Sequence, residues 1–303
     1  MTECENIRHL VLTTSPYPAE DDARRSCNTA DVTLPKVDRR QPNTRRVQWR
    51  EANVTLIHKK GSRSEPGNYR GVSLTSATGK LLERFVKNEI EAYVEENKLI
   101  KDSQHGFRRG RSTQTNLIEF LDTTTSWHDD GSCFDVFYLD FSKAFDVICH
   151  KRLMVNLEAI GIRGKLLKWI QDWISKRKQR VVIDGKYSEW VLVESSVIQG
   201  SVLGGILFNI FIDDIDDAII AALPTKFAYN TKLAMIIKSI KDARRMQVNL
   251  DKMHEWANLW KMSFNVKKCK VMHFRKNNIR YQSSMNGCAI EEVKEEKDLG
   301  VWM

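Results

Sequence analysis

The segment YLDFSKAFD sets Asp140 behind an apolar run, with an aromatic, Phe145, five positions later and a second acid, Asp146, directly after it. Strand ends are rigid places from which to present metal ligands, and a hard divalent ion shared with phosphates takes carboxylate oxygens. On these residues alone, Asp140 serves equally as a ligand or as a cap for the following turn. In IQGSVLG, Gln199 and Gly200 open a predicted helix with small residues, which lets a base or sugar approach the backbone. Cations stand at Lys59 and Lys60, at Arg70 in NYRGVSL, and at Arg108, Arg109 and Arg111 in QHGFRRGRST, where an aromatic and a helix start accompany them. All are usable on phosphates and sugars, and each taken singly is also what a solvated loop looks like.

Periodicity supplies the elements that must hold these groups. Leu82, Phe85, Val86, Ile90, Tyr93 and Val94 recur at helical spacing and predict a helix over 79–97. Thr113 is placed to cap a second helix carrying Leu117, Ile118 and Leu121. The run FDVFYLD, 134–140, reads as a strand buried on both faces, with Asp140 at its carboxyl end. A helix over 165–176 carries Leu166, Trp169, Ile170 and Trp173 on one stripe, and 181–194 reads as a hairpin turning at Asp184 and Gly185. Residues 202–223 suit a buried helix, 226–237 a short hairpin, 240–261 a long helix and 270–274 a last strand. The fold class predicted is α/β (α+β), a small antiparallel sheet backed by helices.

Lys and Arg number 48 against 39 Asp and Glu in 303 residues, a formal net charge of +9. That excess favours polyanion partners without separating nucleic acid from an acidic membrane surface. No apolar run approaches the ~18 residues of a membrane span, and the amino terminus lacks a secretory h-region, so an intracellular protein without membrane association is expected. The six cysteines stand apart, without C-x-x-C or zinc spacing, as reduced thiols do. Residues 1–46 hold four of the six prolines, three Arg pairs and no Phe or Trp, and are expected to form a flexible basic leader.

In this order and at these separations, VTLIHKKG with NYRGVSL, QHGFRRGRST, YLDFSKAFD, IQGSVLG, FNVKKCKVMHF and KDLGV resemble the polymerase domain of reverse transcriptases from non-LTR retrotransposons. The likeness is to the long interspersed element class and especially its jockey-like branch, from about Trp49 onward. The resemblance implies a right-hand polymerase fold, with fingers over 47–135, palm over 136–303, about 151–195 returning to the fingers, and the thumb missing. By position it makes Asp140 the first metal-binding aspartate, Phe145 the gate that excludes a ribose 2′-hydroxyl, and Gln199 and Gly200 the turn that contacts incoming nucleotide and template. Arg70 matches the fingers cation that holds the triphosphate, Lys268 a lysine that protonates pyrophosphate, and Leu299 with Gly300 the start of the primer grip. Lys60, Arg108, Arg109 and Arg111 become nucleic-acid contacts. Mg²⁺ is the implied cofactor, and RNA template, DNA primer and deoxynucleoside triphosphates are the implied partners, with oligomeric state left open.

The chain departs from this family at its most sensitive place. The family's hairpin reads aromatic-Ala-Asp-Asp, and here Phe227 and Ala228 are followed by Tyr229 and Asn230. Tyr229 offers a neutral phenol of pKa about 10 and Asn230 one neutral carbonyl oxygen, so metal-dependent nucleotide transfer is expected to be lost or reduced by many powers of ten. Asp213 and Asp214 follow Phe211 in a similar pattern, but inside the helix that Gly200 opens, and are not expected to replace the missing ligands. Prolines of the family's turns are replaced by Gly71, Ile198 and Gly205, which loosens geometry that proline fixes. Three readings stay open. One is an inactive reverse-transcriptase-like domain that keeps affinity for RNA or an RNA–DNA template-primer, through the Arg108–Arg111 and 176–180 clusters. Another is an active RNA-directed DNA polymerase using Asp140, Asp146 and the nucleotide's phosphates. The last is a poorly folded product of a decayed element, with Trp256, Trp260 and Trp302 uncovered.

Overall fold

The computed structural model describes residues 49–303; the leader expected over 1–46, with Cys4 and Cys27, lies outside them. In chain order the elements are β1 (Glu51–His58), β2 (Tyr69–Leu74), α1 (Ala77–Glu96), α2 (Thr113–Asp129), β3 (Phe134–Asp140), α3 (His150–Ala159), α4 (Gly164–Ile174) and β4 (Arg177–Ile183). They continue with β5 (Lys186–Tyr187), β6 (Val191–Val193), α5 (Gly204–Ile212), β7 (Leu223–Phe227), β8 (Asn230–Ile236), α6 (Ile240–Leu259) and β9 (Lys270–Phe274).

Serine starts three of the helices, because its hydroxyl accepts an amide that the first turn leaves unpaired. Ser76, Ser112 and Ser239 accept the backbone N–H of Gly79, Thr115 and Asp242. The cap of α2 is therefore Ser112 rather than the predicted Thr113, and the Thr115 hydroxyl returns the bond to the Ser112 N–H at 2.8 Å. Two buried faces also differ from expectation. Helix α1 buries Glu83, Val86, Ile90 and Val94 while Phe85 is exposed. Helix α2 buries Asn116, Phe120 and Thr124 and leaves Ile118 and Leu121 exposed. The inward polar groups find partners, as with Asn116 Nδ2 donating to Lys226 O at 3.0 Å, so apolar periodicity finds Val86, Ile90 and Val94 of α1 but misses the inward face of α2. The helix predicted over 202–223 stops at Ile212 and tightens into a 3₁₀ turn, Asp213–Ala218. Acids there oppose the negative end of the helix dipole.

The chain divides into two compact units, one of residues up to Leu99 with Phe145–Phe211, the other Ile100–Ala144 with Ile212–Met303. In the first, β1 pairs antiparallel with β2 and parallel with β4, which in turn pairs with β5 and β6. Asp184 and Gly185 both take positive φ, +48° and +74°, the geometry of the hairpin turn expected there. Arg177 is buried, with its guanidinium 5.3 Å from the Trp173 ring centre, and burial pulls its pKa down to about 10. Arg180 is sandwiched against Tyr187 and Trp190 at 4.1 and 4.4 Å. In the 176–180 cluster the two arginines are thus held by rings, while Lys176 and Lys178 are exposed.

The second unit is built on a five-stranded sheet in which the two-residue strand Glu291–Glu292, then β9, β3, β8 and β7 lie side by side. Phe134, Val136 and Tyr138 of β3 pack with Phe120, Ala234 and Met272. Phe137 and Leu139, which alternate to the opposite face, are also buried, so β3 is covered on both sides as its composition requires. Of the three tryptophans that the poorly folded reading leaves uncovered, Trp256 and Trp260 are core residues and Trp302 is exposed. Among the described residues no helix is long and apolar enough to cross a membrane.

Candidate active site

In the second unit the antiparallel register sets Asp140 at the end of β3 directly across from Asn230, the first residue of β8. Phe227 pairs with Asn230 across the β7–β8 hairpin, leaving Ala228 and Tyr229 as its two-residue turn. The backbone N–H of Asn265 donates to Asp140 O at 2.8 Å, and a 3₁₀ turn at Val266–Lys268 then brings Lys268 Nζ to 3.0 Å from Asp140 Oδ2. The Asp140 side chain is 19% exposed and that of Lys268 66%. Asp140, Asn230 and Lys268 therefore meet, with Tyr229 one position before Asn230.

The donor chemistry does not fit a pair of Mg²⁺ ions. Hard divalent ions take charged oxygen donors, and here the one carboxylate, Asp140, holds the Lys268 ammonium and lies across from Asn230, an amide, with a phenol and not an acid at position 229. Among the described residues no group of three or more His, Cys, Asp or Glu is placed to hold a metal. The acids of the Asp213–Ala218 turn are engaged elsewhere. Asp213 Oδ1 accepts the Lys101 N–H at 2.8 Å, Asp214 Oδ1 the Trp256 indole N–H at 3.0 Å, and Asp216 pairs with Lys226 Nζ at 2.7 Å. Burial pushes Asp214 up to about 7.

In the first unit, Ser73 N–H donates to Gln199 O at 2.9 Å, which ties the Gln199–Gly200 turn to β2, the strand that carries the exposed Arg70. Gly200 sits at φ +109°, and a Cβ on it would lie 2.6 Å from Ser73 O, so glycine is required there. The ring of Phe145 stacks on Phe208 at 4.6 Å. Lys60 lies in the exposed β1–β2 loop. Of the arginines in QHGFRRGRST, Arg108 donates to Lys101 O at 3.1 Å and Arg111 to Asp102 and Glu119 at 3.2 and 3.0 Å, while Arg109 is exposed.

Motif reading passes over the buried side chains that set this geometry. Glu83 Oε2 accepts the N–H groups of Val202 and Leu203 at 2.7 and 3.4 Å just ahead of α5, and its Oε1 accepts the Trp173 indole N–H at 3.2 Å. Its signal in the sequence is an acid on the stripe shared with Val86 and Ile90. Lys232 Nζ donates to Asp298 Oδ2 at 2.6 Å and Asn116 Oδ1 at 2.8 Å, under the Phe120 ring at 4.3 Å.

Comparison with known proteins follows the same lines. Residues 57–302 match the family described as reverse transcriptase (RNA-dependent DNA polymerase). The RNA-directed DNA polymerase from mobile element jockey of Drosophila funebris is 32% identical over 82% of this chain and 28% of its own length. A probable RNA-directed DNA polymerase from transposon BS of Drosophila melanogaster is 29% identical over 73% of this chain and 25% of its own length. The chain thus spans about a quarter of these relatives. Among solved structures, telomerase from Candida tropicalis in complex with the TWJ fragment of telomeric RNA aligns with a TM-score of 0.56 at 11% identity, over 81% of this chain and 44% of that one. That likeness carries the right-hand polymerase fold alone. On the extent of the family match, and with jockey-like non-LTR retrotransposon polymerases as relatives, the chain belongs to the reverse transcriptase (RNA-dependent DNA polymerase) family.

Proposed function

We propose that this domain binds RNA or an RNA–DNA template-primer and does not transfer nucleotides. The observation that carries the reading is the register of β3 and β8, which sets an amide, Asn230, opposite Asp140, with the Lys268 ammonium on the Asp140 carboxylate. In-line phosphoryl transfer with two ions about 3.5–4 Å apart stabilises the attacking and leaving oxygens. Asp140 by itself cannot neutralise and space two such ions. In this reading residues 47–135 and about 151–195 are fingers and the rest of 136–303 is palm. Arg70, Phe145, Gln199 and Gly200 keep the nucleotide and template side of the domain, and Lys60, Arg70 and Arg109 supply phosphate contacts.

Primer extension on an RNA template with Mg²⁺ and then Mn²⁺ tests the reading. The unmodified chain and Asp140→Ala are expected to be silent, and Tyr229→Asp/Asn230→Asp to gain extension. Activity in the unmodified chain that Asp140→Ala abolishes would overturn it. Three phosphate contacts predict a log–log salt slope of roughly −2 to −3 for binding, and a slope near zero would exclude them.

A further inference from the structure

We propose that Gln104 is the positioning residue of the Ala228–Tyr229 turn. The inference rests on the reading above, in which this turn carries the positions of the lost metal ligands. Gln104 is 1% exposed. Its Oε1 accepts the N–H of Ala228 at 2.9 Å and that of Gly106 at 2.8 Å, and its Nε2 donates to Ala228 O at 3.3 Å. One side-chain amide thus satisfies both backbone groups of a residue held at φ +55°. A residue with a Cβ resists that left-handed conformation, which persists only where its surroundings fix it.

The approach that allows this is equally specific. A Cβ on Gly106 would collide with the Ala228 nitrogen and lie 2.9 Å from its Cα, so only glycine lets the two backbones meet. A short ladder holds the neighbouring segments together, with Lys226 N–H donating to Ser103 O at 2.7 Å and His105 N–H to Lys226 O at 2.9 Å. Ladder and clamp do different work. The ladder docks the 103–106 segment on β7, while the amide of Gln104 reaches one step further and fixes the turn itself. Asn230, two residues past Ala228, pairs with Asp140, so rotation of the turn displaces position 230 from its partner. The task needs a donor and an acceptor on one buried group. An ionised carboxylate has no donor and a thioether has neither in useful strength. Gln104 thereby acquires a role different from the phosphate and sugar contacts suggested by its motif.

Amide hydrogen exchange on the unmodified chain, Gln104→Met and Gln104→Glu tests the assignment without metal, nucleic acid or activity, so its outcome is independent of whether the domain is catalytic. In Gln104→Met the amides of Ala228 and Gly106 are expected to exchange at least tenfold faster, while Lys226 and His105 of the ladder and Val136 of β3 keep their rates. Gln104→Glu keeps an acceptor for the Ala228 N–H in either protonation state, but its second oxygen donates to Ala228 O only while protonated and is repelled from that carbonyl once ionised, so protection of Ala228 should match the unmodified chain at acid pH and fall relative to it as the group ionises. Unchanged exchange at Ala228 in Gln104→Met, or an equal rise across the ladder and β3, would overturn the proposal. Should Gln104→Met fail to fold, the pH dependence of Ala228 protection in Gln104→Glu decides, and a profile parallel to the unmodified chain counts against the clamp.

Discussion

Lys232→Met is expected to cost about 3–5 kcal/mol, the range for removing one partner of a buried ion pair. Lys232 and Asp298 have side chains only 5% and 6% exposed and meet at 2.6 Å, so neither charge has water to fall back on. Methionine keeps most of the stem against Phe120 and deletes the ammonium, which leaves the Asp298 carboxylate and the Asn116 carbonyl oxygen buried without their donor. With a urea m-value of about 2–3 kcal/mol/M, the midpoint should fall by roughly 1–2.5 M. Tryptophan fluorescence follows the transition, since Trp127, Trp256 and Trp260 all lie in the same unit as the pair. The double variant Lys232→Met/Asp298→Asn removes both charges and should recover at least half of the loss. A single-variant cost below about 1 kcal/mol, or a double variant as unstable as the sum of the singles, would show that the pair is solvated or uncoupled and that this reasoning is wrong.

Three further outcomes are expected. The Asp214 pKa of about 7 lies above that of an unfolded aspartate, so its contribution is fully present below about pH 4 and is lost as pH rises through 7; Asp214→Asn should remove up to about 1 kcal/mol per pH unit of that slope, read as the difference between urea midpoints of parent and variant at pH 5 and pH 8. Glu83→Ala strands the N–H groups of Val202 and Leu203 and the Trp173 indole, at a cost of about 2–4 kcal/mol, while Glu83→Gln keeps an acceptor and loses only about 1; equal thermal shifts for the two variants would contradict the capping role. Gly200→Ala meets Ser73 O at 2.6 Å in a left-handed conformation and should cost about 2 kcal/mol or more, measured by thermal melting, with an unshifted transition as the contrary result.

What the sequence makes legible is what depends on chain order and on strongly apolar runs. FDVFYLD is legible as the central strand because a seven-residue run apolar enough to be buried at all but its last residue belongs inside a covered sheet. The turn at Asp184 and Gly185 is legible because few residue pairs tolerate two positive φ angles. The inward polar residues of α1 and α2 are not, because Glu83, Asn116 and Thr124 are buried by hydrogen bonds whose partners lie many residues away or on the backbone. The same cause hides Gln104 and Lys232. A buried polar side chain is recognised by its partners, and partners at a separation of 124 residues, as between Gln104 and Ala228, leave no local pattern. Nor does sequence separate the members of a basic cluster, since Arg108, Arg111 and Arg177 place their guanidinium groups on protein acceptors or rings while Arg109, Lys176 and Lys178 are exposed.

The residues that build this site and those that would hold an ion separate cleanly on physical grounds. Gln104 and the Lys232–Asp298 pair are buried in the second unit, and removing any one strands groups that water cannot reach, so each is tied to the fold. Asp140 and the positions of Tyr229 and Asn230 sit partly open at the end of β3 and the hairpin turn. Carboxylates gathered there in the absence of metal would repel one another, so a phenol and an amide at 229 and 230 carry no penalty for the sheet, and Lys268 offsets the charge that remains on Asp140. The side chains at 229 and 230 therefore place no demand on the clamp that shapes the turn. The left-handed turn, with Gln104 closed on both backbone groups of Ala228, is sustained by the packing of the fold and not by any ion at positions 229 and 230.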